Sequence, residues 1–343
     1  MSGGTTCVRP RALFAMSAAT LPHAFPPDVM DRLRNVADVA PDLVAESFHD
    51  PRIREALAET EILVTGWGCP PVDAGALAAA PRLRGILHAA GSVKPLMTDA
   101  CWDRGIWISS AAAANALPVA EYTLGMILLT GKGLLTRSNT YRATRTFQND
   151  VIVEGIGNHR RRIGVIGASH IGRRVIDLLR PFDFEVSVAD PYVGEAEAAA
   201  LGVRLRELHG QDGLFATSDV VTVHAPAVPE TRHLVGRQEL AQMPDGSVLI
   251  NTARGSLVDT EALTEAVLAQ RIAAVLDVTE PEPLPADSPL YDLPNVYLTP
   301  HLAGAQGNEV ARLGVVVVEE LRRLRTGAPL AHAVDRATLQ RAA

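Results

Sequence analysis

The sequence predicts an α/β protein of two domains, each a doubly wound parallel sheet covered by helices. Three observations carry this. Short apolar runs alternate with helix-period stretches along most of the 343 residues, the pattern of parallel strands buried on both faces. The runs fall in two series, separated by one long helix-compatible segment. The length suits two units of about 150 residues, each able to bury its own core.

In the first series the strand-like runs are 12–17, 62–66, 84–89 and 107–110, with amphipathic stretches at 28–39 and 72–81. His88 reads as core strand, and Trp102 and Trp107 as packing residues. A helical segment from about Leu117 to Phe147 follows, with Pro118 near its start, where a missing N–H does no harm. The second series comprises strands at 163–166, 185–189, 220–224, 248–251, 273–277 and 296–298, with helices at 171–179, 237–243 and 259–270. Beyond Gly304 lies an amphipathic stretch at 315–325, stopped by Gly327-Ala328-Pro329. It has no new sheet to join. It is expected to pack back on the first domain, which then comprises 1–117 and 302–343 around a second domain at 118–301.

Composition narrows the function classes. A chain 47% hydrophobic with a formal charge of -7 is neither disordered nor built for nucleic acid, which needs a basic face. The one tight basic run, Arg160, Arg161 and Arg162, reads as the solvated flank of a strand. The longest apolar window, 111–130, carries Asn115, Pro118 and Glu121, so no bilayer helix is expected. Residues 8–17 resemble a signal peptide only faintly and read as the first core strand. Cys7, Cys69 and Cys101 form no C-x-x-C pair; they fit buried thiols in a reducing compartment, without disulfides or a metal site. The expectation is a cytoplasmic protein without membrane or nucleic-acid partners.

The chemistry begins at Gly167-Ala168-Ser169-His170-Ile171-Gly172, which follows an apolar strand and opens a helix. That is the context of a dinucleotide fingerprint. Gly167 makes the tight turn and Gly172 lets the helix approach the sheet. Ser169 replaces the middle glycine; it is small, and its hydroxyl can bond a phosphate oxygen. The N–H groups of Ser169, His170 and Ile171 then face the pyrophosphate at a helix N-terminus. Asp190 ends the next strand about 20 residues on, where a carboxylate bonds the ribose hydroxyls and repels a 2′-phosphate. NAD is therefore favoured over NADP. Arg173 and Arg174 lie within the helix and read as solvated.

Three further strand ends carry polar groups, at the sheet edge where open α/β folds bind ligands. Asn251-Thr252-Ala253-Arg254-Gly255 offers a planar guanidinium for a carboxylate. Asp277-Val278-Thr279-Glu280-Pro281-Glu282-Pro283 places two acids in a proline-stiffened loop. Thr299-Pro300-His301-Leu302-Ala303-Gly304 ends the last strand with a histidine. An arginine for the substrate carboxylate, a histidine as acid/base and an acid beside it suffice for 2-oxoacid reduction.

With these motifs, and with Val119-Ala120-Glu121 before them, the chain resembles the D-isomer-specific 2-hydroxyacid dehydrogenase family over nearly its whole length. The resemblance implies two Rossmann-like domains with an interdomain active-site cleft, hinges near Leu117 and Pro300, and a homodimer formed through the coenzyme domains. It implies a catalytic set of Arg254, Glu282 and His301, with Glu280 as the decoy acid. It further implies that Asp277 bonds the nicotinamide carboxamide, and that His224, Thr252, Ala253 and Gly304 join the coenzyme site. Gly91, Ser92 and Val93 stand where the family binds the substrate carboxylate through a loop; Lys94 follows in place of the family's acidic continuation and reads as solvated. The implied reaction is hydride transfer between NAD and C2 of a small 2-oxo or 2-hydroxy acid. Two rivals share the scaffold: an NAD(H)-sensing binding protein of the corepressor kind, and a formate- or phosphite-type dehydrogenase.

Overall fold

Strands form where aliphatic and β-branched residues run uninterrupted, and most of them are buried on both faces. A computed structural model describes residues 9–146 and 155–339. In chain order the first strands are β1 (Arg11–Ala15), β2 (Asp38–Val44), β3 (Ile62–Thr65), β4 (Gly85–His88) and β5 (Trp107–Ser110), with helices α1 (Pro27–Arg34) and α2 (Ala74–Ala79) between them. Then come α3 (Ala112–Gly131) and α4 (Leu134–Thr144). The second series is β6 (Arg162–Ile166), α5 (His170–Leu179), β7 (Glu185–Ala189), β8 (Arg204–Leu205), β9 (Val220–Val223), α6 (Arg237–Gln242), β10 (Val248–Asn251), α7 (Thr260–Leu268), β11 (Ala273–Leu276) and β12 (Val296–Leu298). The chain ends with α8 (Ala311–Arg325) and β13 (Ala333–Val334), followed by a short helical turn.

Two units result, dividing at Asn115/Ala116 and again at Gly304/Ala305. In the first, the strand order is β13-β5-β4-β3-β1-β2, all parallel except β13. Leu313, Val317, Val318 and Leu321 of α8 bury against Phe14, Leu33 and Val64, so the end of the chain does pack back on this sheet. It also joins it: β13 pairs antiparallel with β5 at the edge of this same sheet. The pairing is held by Glu320, whose buried carboxylate accepts the N–H of Ala331 at 3.0 Å and of His332 at 2.8 Å. The second unit has the order β12-β11-β10-β9-β6-β7-β8, parallel throughout. Each sheet carries an apolar cluster on both faces.

Several local expectations need correction. The amphipathic stretch at 28–39 ends early at Arg34, and the chain then forms β2, an edge strand whose Pro41 removes a ladder donor that an edge can spare. The helix expected from 117 to 147 begins earlier and is two helices, broken where Gly133 takes φ 58°; Phe147 lies outside the described residues. Pro118 is inside α3, not at its start. Among the described residues α3 is the one helix long and apolar enough to cross a membrane; its Ala120 and Ile127 pack in the core of the second unit with Ile163 and Val165. Arg161 is buried, not solvated, and burial lowers its pKa. Its neighbours do stay at the surface, where Arg160 pairs with Glu185 and Arg162 with Asp219. Cys69 and Cys101 are buried free thiols, and burial pushes Cys69 up to about 12; Cys7 lies outside the described residues. Trp102 and Trp107 pack against the two clusters of the first unit.

Candidate active site

The glycine loop joins β6 to α5. Gly167 has φ 89°, and a Cβ there would stand 2.8 Å from the backbone N of Ala225. A Cβ on Gly172 would stand 2.0 Å from the carbonyl oxygen of Gly167, so both positions require glycine. Between them Ser169 is the N-cap of α5: its Oγ accepts the N–H of Gly172 at 3.4 Å. The hydroxyl proton is left to donate outward. His170 is exposed and Ile171 half-buried, and their N–H groups sit in the first turn, which has no intrahelical acceptors. This cradle fits a pyrophosphate.

Asp190, just after β7, accepts the N–H of Ala168 at 2.7 Å through Oδ2 and that of Tyr192 at 2.8 Å through Oδ1. The acid is thereby tied to the loop it was expected to complement. Arg173, its side chain 40% exposed, donates to the Ala168 carbonyl at 2.8 Å and pairs with Glu197 at 2.6 Å. That engagement takes it away from any 2′-phosphate. His224, just past β9, is fully buried behind Gly167. Its Nε2 lies 2.9 Å from Thr222 Oγ1, Nδ1 has no partner among the described residues, and burial lowers its pKa to about 3.

The three downstream strand ends converge within this unit. Past β10, Asn251 closes a turn by accepting the Ala253 N–H at 3.1 Å and donating to the Arg254 carbonyl at 2.9 Å. Thr252 and Ala253 are buried in that turn. Arg254 keeps solvent contact, yet the protein crowded around its guanidinium lowers its pKa, and the Glu282 carboxylate works against that shift. Past β11, Asp277 is 2% exposed. Its carboxylate accepts Thr299 Oγ1 at 2.6 Å, Leu302 N at 2.8 Å and Ala303 N at 3.0 Å, while its carbonyl accepts the N–H of His301 at 2.9 Å. Gly304 is half-buried just beyond.

His301 Nδ1 lies 2.9 Å from Glu282 Oε1, with both side chains about half exposed (50% and 44%). Nε2 has no partner among the described residues, which leaves it to face a ligand. Glu280 turns elsewhere, pairing with Arg232 at 2.9 Å and with His233. The structure thus brings Glu282, not Glu280, to the histidine, and Arg254 within electrostatic reach of Glu282.

Gly91, Ser92 and Val93 lie in the other unit, just past β4. His88 beneath them is buried, bonds Thr65 Oγ1 at 2.9 Å and the Ser92 backbone, and has its pKa lowered to about 4 by burial. Val93 is buried, and Lys94 is half-buried. Two features were not picked out from sequence. Tyr122 and Thr123 on α3 bond Thr299 and Thr252; their only signal is two adjacent hydroxyls after Val119-Ala120-Glu121. Trp67, 41% exposed between two glycines past β3, shares the carboxyl edge of the sheet with the Gly91 loop.

Residues 124–303 match the NAD binding domain of the D-isomer specific 2-hydroxyacid dehydrogenase family. The chain belongs to this family. It is 32% identical over 265 residues to a D-3-phosphoglycerate dehydrogenase of Archaeoglobus fulgidus, covering 77% of this chain and 49% of that one. It is 30% identical over 256 residues to a glyoxylate reductase of Aeropyrum pernix, covering 73% and 76%. A solved D-lactate dehydrogenase of Aquifex aeolicus, complexed with NAD and lactic acid, superposes with a TM-score of 0.70 at 26% identity, covering 92% and 96%. The chain spans about half the length of the phosphoglycerate dehydrogenases it matches. As a 2-hydroxyacid dehydrogenase family member it carries the NAD-binding fold that its glycine loop and Asp190 indicated.

Proposed function

We propose that this protein is an NAD-dependent oxidoreductase interconverting a small 2-oxo acid and its D-2-hydroxy acid, with His301 as the acid/base. The observation that carries the reading is the His301–Glu282 contact at 2.9 Å, beside Arg254. NAD(H), bound at the glycine loop, supplies or accepts the hydride at the substrate's C2. Arg254 binds the substrate carboxylate through its planar fork. In reduction, Nε2 of His301 gives its proton to the carbonyl oxygen; the ring recovers a proton from solvent. Glu282 orients the ring through Nδ1 and balances the positive charge before transfer. Asp190 selects NAD, and Thr252, Ala253, His224, Asp277 and Gly304 complete the coenzyme site. The buried free thiols of Cys69 and Cys101 support a reducing, cytoplasmic setting; the family membership supports a homodimer.

The test is absorbance of reduced nicotinamide with purified protein, NADH or NADPH, and a panel of 2-oxo acids including glyoxylate, hydroxypyruvate, 3-phosphohydroxypyruvate, pyruvate and phenylpyruvate. Oxidation of NADH by at least one acid is expected. Tight NADH binding with silence across the panel supports the sensor instead, and NADH formation from formate or phosphite alone supports the third reading. Asp190→Ala is expected to narrow the preference for NADH over NADPH by about tenfold or more, the scale of a charge-assisted hydrogen bond plus lost repulsion. An unchanged ratio would remove Asp190 from the selectivity role.

A further inference from the structure

The left-handed backbone of His301 needs an explanation. Its φ is 54°, a conformation that a non-glycine residue holds when its surroundings over-determine it. The surroundings here converge on Asp277, which holds His301 through its carbonyl and Leu302 and Ala303 through its carboxylate. The remaining donor to that carboxylate is the Thr299 hydroxyl, at 2.6 Å. A threonine has one hydroxyl hydrogen. Having given it to Asp277, Thr299 accepts from its other neighbour, Tyr122 Oη at 2.7 Å. Burial raises the Tyr122 pKa, outweighing the opposing hydrogen bond with Thr299 and helped by the Asp277 charge, so the phenol keeps its proton and donates.

We propose that Tyr122 is a positioning residue whose hydroxyl, acting through Thr299, fixes the Asp277 carboxylate and so seats the backbone carrying His301. The chain of donors runs one way, from Tyr122 to Thr299 to Asp277. The next residue of α3 serves the other catalytic segment: Thr123 gives its hydroxyl hydrogen to the Val119 carbonyl at 2.8 Å and accepts from Thr252 at 3.1 Å, two residues before Arg254. One helix thus tethers both segments through consecutive hydroxyls. Removing the phenol oxygen leaves the Thr299 hydroxyl without its donor and loosens its grip on Asp277. The imidazole stays present but imperfectly placed, which lowers the rate of proton transfer more than the affinity for either ligand.

The inference rests on the proposed acid/base role of His301, so its test has a readout that needs no turnover. In Tyr122→Phe, the amides of Leu302 and Ala303 are expected to exchange hydrogen about tenfold faster than in the wild type, the scale of one weakened buried hydrogen bond. kcat is expected to fall about tenfold with KM and the NADH dissociation constant within about twofold. Thr299→Ser, which keeps the hydroxyl, should behave as wild type, and Thr299→Val should reproduce Tyr122→Phe; this pair also makes the comparison if Tyr122→Phe does not fold. Unchanged amide exchange and unchanged kcat in folded Tyr122→Phe or Thr299→Val, with only a lower Tm, would overturn the proposal and leave the hydroxyls a packing role. Faster exchange in a protein that turns over no 2-oxo acid upholds the seating and defeats the assigned reaction.

Discussion

His301→Ala is expected to lower kcat for 2-oxoacid reduction by about a thousandfold, within the range that a positioned general acid contributes, while NADH binds as before. The separation follows from where the residue sits. Its Nδ1 is engaged by Glu282 at 2.9 Å and its Nε2 has no partner among the described residues, whereas the coenzyme cradle is built from Gly167, Ser169 and Gly172 at a different strand end. Removing the imidazole takes away a proton donor and leaves the cradle whole. The two nearby acids should then diverge. Glu282→Gln keeps a hydrogen-bonding partner but loses the charge that balances imidazolium, and should cost about ten- to a hundredfold in kcat. Glu280→Gln breaks exposed ion pairs with Arg232 and His233, each worth little, and should leave kcat within about twofold. Single-turnover reduction beside an NADH fluorescence titration reads both quantities. A His301→Ala enzyme within tenfold of the wild-type kcat would place the acid elsewhere, and equal losses for the two glutamates would remove Glu282 from its partnership.

The parts of this protein legible in its sequence are those governed by short-range pattern. Strands buried on both faces read as plain apolar runs, and β5, β7, β10 and β12 have the ends that their residues indicated. The glycine loop was legible because close backbone approach leaves no alternative to glycine at Gly167 and Gly172. The family motifs separated Glu282 from Glu280, which local chemistry alone could not do, since both are acids before prolines. Features decided by distant partners were not legible. β2 hides behind Pro41, which marks a loop unless the strand is known to be an edge. β13 pairs with a strand far back in the chain, and Glu320, on a different element, steadies its approach by collecting two backbone amides. The burial of Arg161 and the pairing of Arg173 with Glu197 depend on what packs beside them, and a basic residue carries no mark of this in sequence. Tyr122 is the clearest case: its neighbours in the chain point to a helix, and its use depends on Thr299, far along the chain.

Mild acid is expected to destabilise both units, because each holds a neutral histidine in its interior. Burial lowers His88 to about 4 in one unit and His224 to about 3 in the other, from an ordinary value of 6.5. On unfolding, each ring takes up a proton at any pH below about 6.5. The unfolded state therefore binds more protons, and stability falls as pH drops from about 6.5 towards the folded values. The slope is up to about 1.4 kcal/mol per pH unit for each histidine, or about 2 kcal/mol each between pH 7 and pH 5. Asp219, where burial works upward but the bonds from Arg162 outweigh it, sits below its ordinary 3.8; its contribution is complete above that value and is lost only in stronger acid. The window from pH 7 to pH 5 thus isolates the histidines. All three tryptophans, Trp67, Trp102 and Trp107, lie in the unit of His88, so the urea midpoint followed by tryptophan fluorescence reports that unit. His88→Gln, which can still bond Thr65 but does not titrate, should flatten the pH dependence of that midpoint, and His224→Gln should leave it as it was. If His88→Gln loses stability between pH 7 and pH 5 as steeply as the wild type, the proton is taken up elsewhere and the buried imidazole is not what limits the fold in acid.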